Sequence, residues 1–239
     1  MFGALTRWIS NIGYERRRAK YGTWLLVDPR PTKAENPFTF FVPPDEVVSK
    51  IGPGEIVKLI FVSDPPSRRT GAERMWVQVT ARDGEHLHGT LDNVPIDTPN
   101  LALNDPVEFE AYHIVALDRS SKLWDGVDND SEDRYMARCL VDGSVLDGSR
   151  PIGLIFREEP DVLENSPYPD SGWRLRSDQR GRSDADIDVE EVIRVAVGVI
   201  LNKDASFLDL LNSPVGSVYE RNWETGTFEP GTLELRDEG

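Results

Sequence analysis

The residues best suited to chemistry are few and scattered. His86 and His88 stand two apart in a β-type run, so both imidazoles face the same side of a strand. With His113 they would make a three-histidine zinc site. That trio uses all 3 histidines of the chain, and no carboxylate or cysteine joins them at ligand spacing in the sequence. Ordinary surface histidines are therefore the expectation, with no metal and no cofactor. Asp184-Ala-Asp-Ile-Asp188 opens like a calcium loop, but Val189 and Val195 stand where Gly and Glu are required. Asp128-Asn-Asp-Ser-Glu132 fails in the same way, at Asp133 and Cys139. Cys139, the single cysteine, lies between Arg138 and Leu140 and reads as a buried strand thiol. The adjacent Glu158 and Glu159 would diverge to opposite faces of an extended chain, which is poor geometry for an acid/base pair. No phosphate loop, nucleophile elbow or paired-cysteine motif is present. The chain is thus read as having no catalytic residues.

A second set fits recognition better than catalysis. Arg157, Glu158, Glu159, Asp170, Trp173, Arg174, Glu220 and Arg221 recur between short apolar runs in the last hundred residues. One reading pairs the arginines with the carboxylates to pin loops together, with Trp173 anchoring its loop to the core. The other makes these eight a partner-binding face, because Trp and Arg dominate binding hot spots and carboxylates steer basic partners. Both can hold at once. Formal net charge is -15. The first 30 residues are net basic and the rest strongly acidic. Such a surface repels phosphate backbones, so no nucleic-acid partner is expected, and it attracts basic proteins.

The elements that must position these groups define an α+β chain. Leu5, Trp8, Ile9 and Ile12 repeat at helical spacing, and Arg16, Arg17, Arg18 and Lys20 come after them, so residues 1–22 are read as an amphipathic helix packed on the adjoining domain. Residues 23–119 read as a small antiparallel sheet or barrel. Its strands are placed at Thr23–Val27, Phe38–Val42, Glu55–Val62, Arg74–Ala81, His86–Leu91 and Val107–Ala116, with a hairpin turn at Asp83-Gly84. Residues 120–134 have the acidic composition of a linker. Residues 135–232 read as a second α+β domain with a short antiparallel sheet and one or two helices, and 233–239 as a tail. In that domain strands are placed at Ala137–Leu146, Ile152–Phe156, Trp173–Leu175 and Ser217–Glu220. Between Asp188 and Leu201 the apolar positions suit a helix capped by Asp188, although Val195, Val197 and Val199 also alternate like a strand. The helix is the reading taken. Phe207–Leu211 reads as a second, short helix.

Two family resemblances extend this reading. Arg157-Glu-Glu-Pro160, Asp170-Ser-Gly-Trp-Arg174 and Leu211-Asn-Ser-Pro-Val-Gly-Ser-Val-Tyr-Glu-Arg221 resemble the bacterial domain called immunity protein thirty-three (domain of unknown function twenty-one eighty-five). The resemblance spans about residues 137 to 228. It implies toxin neutralisation by binding. Such domains carry a Gly-Asp-Glu stretch after the Trp motif. Here Ser177-Asp178-Gln-Arg-Gly-Arg182 departs from it, which bears on partner choice. Gly54-Glu-Ile-Val-Lys-Leu-Ile60, Glu73-Arg-Met-Trp-Val-Gln-Val79, Gly89-Thr-Leu-Asp-Asn93 and Asp105-Pro-Val-Glu-Phe109 look like domain of unknown function twenty-three fourteen, which carries little chemistry.

The resulting expectation is a non-catalytic immunity protein that binds a basic cognate toxin. The alternative is an adaptor or scaffold. A single cysteine, the lack of a secretory pattern in Met1-Phe-Gly-Ala-Leu-Thr-Arg-Trp-Ile-Ser, and the lack of an apolar run long enough to span a bilayer place the chain in the cytoplasm, with no membrane partner. Replacing Trp173 and Arg174 together by alanine is expected to weaken binding and leave the circular dichroism largely intact.

Overall fold

The β-type runs of the first half pair in sequence order, each strand folding back on the one before. The computed structural model describes residues 13–66, 71–128 and 130–233. The apolar stripe at Leu5, Trp8, Ile9 and Ile12 lies outside the described residues, whereas residues 13–21 are helical (α1). The chain divides into two compact units, residues 1–35 with 40–127, and residues 36–39 with 128–239.

In the first unit β1 (Thr23–Leu26), β2 (Ile56–Asp64), β3 (Glu73–Asp83), β4 (His86–Leu91) and β5 (Pro106–Glu110) form one antiparallel sheet in that order. β6 (Ala116–Leu117) returns to pair with the start of β2. Only residues 111–115 join β5 to β6, and 111–113 form a 3-10 turn with a rise of about 2 Å per residue. A flat sheet would hold those edges well apart, at about 4.8 Å for each intervening strand, so the sheet curls almost into a barrel. Alternation does the rest. Met75, Val77 and Val79 point inward from β3, and Leu87 and Leu91 from β4, onto Phe61 and Phe109. Leu123, Trp124 and Val127 pack against this same core, and Ser121 caps a 3-10 turn at Lys122–Trp124.

Two short helices in this unit were not expected. α2 (Arg30–Glu35) carries Pro31 at its start, where the missing N–H has no cost, and α3 (Asp45–Val48) comes directly after Pro44. The strand expected at Phe38–Val42 does not form. Residues 36–39 belong to the second unit, where the Phe38 amide donates to Asn202 Oδ1 at 3.0 Å. The Phe38 ring meets Tyr135 edge-on at 5.1 Å.

The second unit is a six-stranded sheet. Its strands are β7 (Arg138–Asp142), β8 (Ile152–Arg157), β9 (Asp170–Ser177), β10 (Val192–Ala196), β11 (Val218–Arg221) and β12 (Phe228–Pro230), in the order β10-β7-β9-β8-β11-β12. β7 and β9 run parallel and the remaining neighbours antiparallel, so the sheet is mixed and longer than expected. α4 (Asp130–Met136) precedes β7, and α5 (Gly143–Leu146) succeeds it. The core gathers Trp173, Ile155, Leu175, Cys139, Ile200 and Phe207.

The helix expected from Asp188 to Leu201 is replaced by three elements. Ser183, not Asp188, caps α6 (Asp184–Asp188), its hydroxyl accepting from the Asp186 amide at 3.2 Å. The β-branched run after it becomes edge strand β10, registered on β7. α7 (Val197–Leu201) is a single buried turn. Here tertiary pairing overrides a helical apolar spacing, because β7 offers an open edge. Gly198 in α7 permits the approach of residues 36–39: a Cβ there would stand 2.1 Å from the Phe38 carbonyl oxygen. The helix expected at Phe207–Leu211 is a 3-10 turn at Leu208–Asn212.

Candidate recognition face

The site begins with a bulge. On β7, residues 138 and 140 register with residues 170 and 174 of β9, so two steps on one strand oppose four on the other. Gly172 takes up the excess at φ +78, and a Cβ there would meet the Glu158 carbonyl oxygen at 2.2 Å. Ser171 pins the bulge by donating from Oγ to the Arg138 carbonyl at 2.7 Å. The compression brings Asp170 and Arg174 together.

Arg174 is 4% exposed and Asp170 is 4% exposed. Arg174 Nη2 donates to Asp170 Oδ2 at 2.9 Å, and Nε to Glu158 Oε2 at 2.9 Å. The Asp161 carboxylate receives Arg174 Nη2 at 3.4 Å and Arg194 Nη2 at 2.9 Å. Burial by itself would raise the Asp170 carboxyl. The Arg174 hydrogen bonds, the Asp161 amide and the charges of Arg174 and Arg194 outweigh it and hold that carboxyl below its ordinary value. Burial would likewise lower the Arg174 guanidinium, but Asp170 and Glu158 raise it. The nearby Cys139 thiol is pushed up to about 12, by burial first and the Asp170 charge second.

Of the eight residues singled out in the sequence, Glu158, Asp170 and Arg174 thus share one ion cluster. Arg157 and Trp173 meet beside it, with the guanidinium 5.7 Å from the ring centre. Arg157 donates to the carbonyls of Ser171 at 3.0 Å and Ser213 at 2.6 Å. Trp173 is 2% exposed and lines a cleft of about 660 Å³ with Tyr168 and Asn212. Arg221 lies elsewhere. It bonds the Ile152 carbonyl at 2.6 Å and pairs with Asp204. Glu159 and Glu220 are exposed.

A second, exposed aromatic and charged cluster sits at the β11–β12 hairpin, where Glu220 was singled out in the sequence and Trp223, Arg180, Glu224 and Glu229 were not. Trp223 in the hairpin turn is 40% exposed, and the Arg180 guanidinium lies 3.7 Å from its ring centre. Arg180 is held there by Asp178, Nη2 to Oδ2 at 2.9 Å. Glu220 and Glu229 face each other across the hairpin, and Glu224 is the next residue after Trp223, all three exposed. A groove of about 570 Å³ runs past Trp223, Arg180, Glu220 and Leu233. For Arg180 the hint in the sequence was the departure of the 177–182 loop from the immunity-domain pattern, in which it is one of two added arginines. The other, Arg182, turns inward to Glu190.

The histidines divide differently from the expected trio. His113 is tied to its own turn, Nδ1 accepting from the Glu110 amide at 3.0 Å, and burial lowers its basicity. His86 and His88 gather instead with Glu108, donor atoms all within 4.8 Å of one another. A carboxylate does join the pair; it arrives through strand pairing, which spacing along the chain does not reveal.

Fold and site together define a two-unit α+β protein whose second unit combines a buried ion cluster with an exposed Trp–Arg shelf. Residues 139–231 match the family model described as the Immunity protein Imm33 domain. Residues 32–117 match that of an uncharacterized protein conserved in bacteria, DUF2314. No curated protein and no solved structure matches the chain. Among the described residues no helix is long and apolar enough to cross a membrane.

Proposed function

We propose that this protein binds and neutralises a basic bacterial toxin in the cytoplasm, without catalysing a reaction. The observation that carries this reading is the match of residues 139–231 to an immunity-protein domain. The Trp223–Arg180 shelf is its contact surface, with Glu220 in the same groove and Glu224 and Glu229 exposed on the same hairpin. Trp and Arg supply most of the energy of typical interfaces, and exposed carboxylates speed encounter with a cationic partner. Trp173 and Arg174, at the other end of β9, stabilise the sheet that carries this hairpin.

The test is immunoprecipitation of the untagged chain from its host, mass spectrometry of what co-purifies, and titration with the purified candidate. A stoichiometric complex that protects cells expressing the toxin supports the reading. A candidate that binds without protection favours an adaptor. Turnover of a small molecule by the purified chain overturns both.

A further inference from the structure

We propose that the outer face of the first unit binds a divalent transition-metal ion through His86, His88 and Glu108, with Glu110 orienting His86. The inference is independent of the toxin reading. β4 and β5 pair so that His86 registers with Glu110 and His88 with Glu108. Within each strand the two residues are two apart, so all four side chains leave the same face, opposite the buried Leu87 and Phe109. The two imidazole rings stand 4.7 Å apart at 84°. The donor atoms of His86, His88 and Glu108 lie within 4.8 Å of one another. Two donors on one tetrahedral zinc are separated by about 3.4 Å, given metal–ligand lengths near 2.0–2.2 Å. The cluster therefore has to contract by about 1.4 Å. Side chains this exposed (42%, 43% and 71%) reach that by rotating about χ bonds.

The Glu110 contact separates this arrangement from a chance pair of surface histidines. Glu110 Oε1 lies 3.0 Å from His86 Nδ1. A carboxylate on Nδ1–H holds the imidazole in the tautomer that presents Nε2 to a metal; metal-ligating histidines regularly donate their second N–H to a carboxylate, a backbone carbonyl or water in this way. Asp83 of β3 is in register with His86 from the other side and adds negative charge near the site. Two imidazoles and a carboxylate favour zinc, copper or nickel over magnesium or calcium. Three protein ligands leave a coordination position open to solvent.

The experiment is calorimetric titration of the tag-free full chain with zinc chloride in a non-chelating buffer. The wild type is expected to bind one zinc. Replacing His88 by alanine should abolish saturable binding, Glu108→Gln and Glu110→Gln should each weaken it about ten-fold or more, and His113→Ala should leave it unchanged. The two glutamine variants are nearly isosteric, and cobalt(II) absorption of the wild type gives a readout that needs no variant: intense visible bands of tetrahedral coordination are expected. Absence of zinc binding by the wild type, or full retention of it in His88→Ala, overturns the site and leaves only cross-strand His–Glu ion pairs.

Discussion

Arg174 reaches back along its own strand to grip Asp170, with Nη2 2.9 Å from Oδ2 and Nη1 3.3 Å from Oδ1. Four residues of regular strand would hold their Cα atoms about 13 Å apart. The bulge at Gly172 closes that gap, so a backbone irregularity and a buried ion pair are one device. The pair leaves Glu158, Asp161 and Arg194 gathered around it.

Removing one partner strands the other in the interior. Arg174→Ala is expected to destabilise the protein by about 3–5 kcal/mol, because Asp170 stays buried without its main counter-charge. Arg174→Lys should recover only part of this, since an ammonium cannot serve Asp170 and Glu158 with the same fork. Urea unfolding of the three proteins measures both effects.

Gly172→Ala tests the bulge directly. The left-handed conformation alone should cost about 1–2 kcal/mol, and the collision with the Glu158 carbonyl adds to it. A thermal midpoint equal to that of the wild type contradicts this account of the bulge.

Acid should loosen the same cluster. The native Asp170 carboxyl titrates below its ordinary value of 3.8, so in that window the unfolded chain binds more protons than the folded one. The stabilisation is present in full above the unfolded value and is lost as pH falls through the depressed native value. Glu190 and Asp178 are depressed as well, so Asp170→Asn should flatten, without erasing, the loss of stability as pH falls below about 4. Urea midpoints across that range provide the measurement.

Cys139 should be inert while the protein is folded. With its thiol raised to about 12, the thiolate at pH 8 is on the order of one part in ten thousand, and the side chain is 0% exposed. Alkylation and subsequent mass spectrometry are expected to show modification only after denaturation.

The two tryptophans of the second unit should separate folding from recognition. Trp173→Ala empties a core position and should destabilise by about 3–5 kcal/mol. Combined with Arg174→Ala it attacks the fold, which replaces the expectation that this double change would spare the circular dichroism. Trp223→Ala, at an exposed turn, should leave the unfolding transition nearly unmoved and weaken partner binding by about 2 kcal/mol or more. Unfolding curves and titration with the identified partner check the pair.

Local patterning carried much of the fold. Val77 and Val79 alternate with Gln78 and Thr80 because one face of β3 is wet, and that period is visible in the sequence. His86 and His88 share a face for the same reason. The motifs of both halves were legible because each is a contiguous run of residues, and the mixed α+β character came with them. What sequence periodicity could not supply was pairing between distant segments. The stretch from Asp188 to Leu201 satisfies helix and strand spacing alike, and only the open edge of β7 decides between them. Glu108 and Glu110 reach the histidines by strand register, and Trp223 in the β11–β12 turn reaches Arg180 in the loop after β9, contacts that depend on which strands become neighbours. Whether Trp173 and Arg174 face a partner or the core was undetermined for the same reason: burial is a property of the assembled sheet, and residue type alone does not set it.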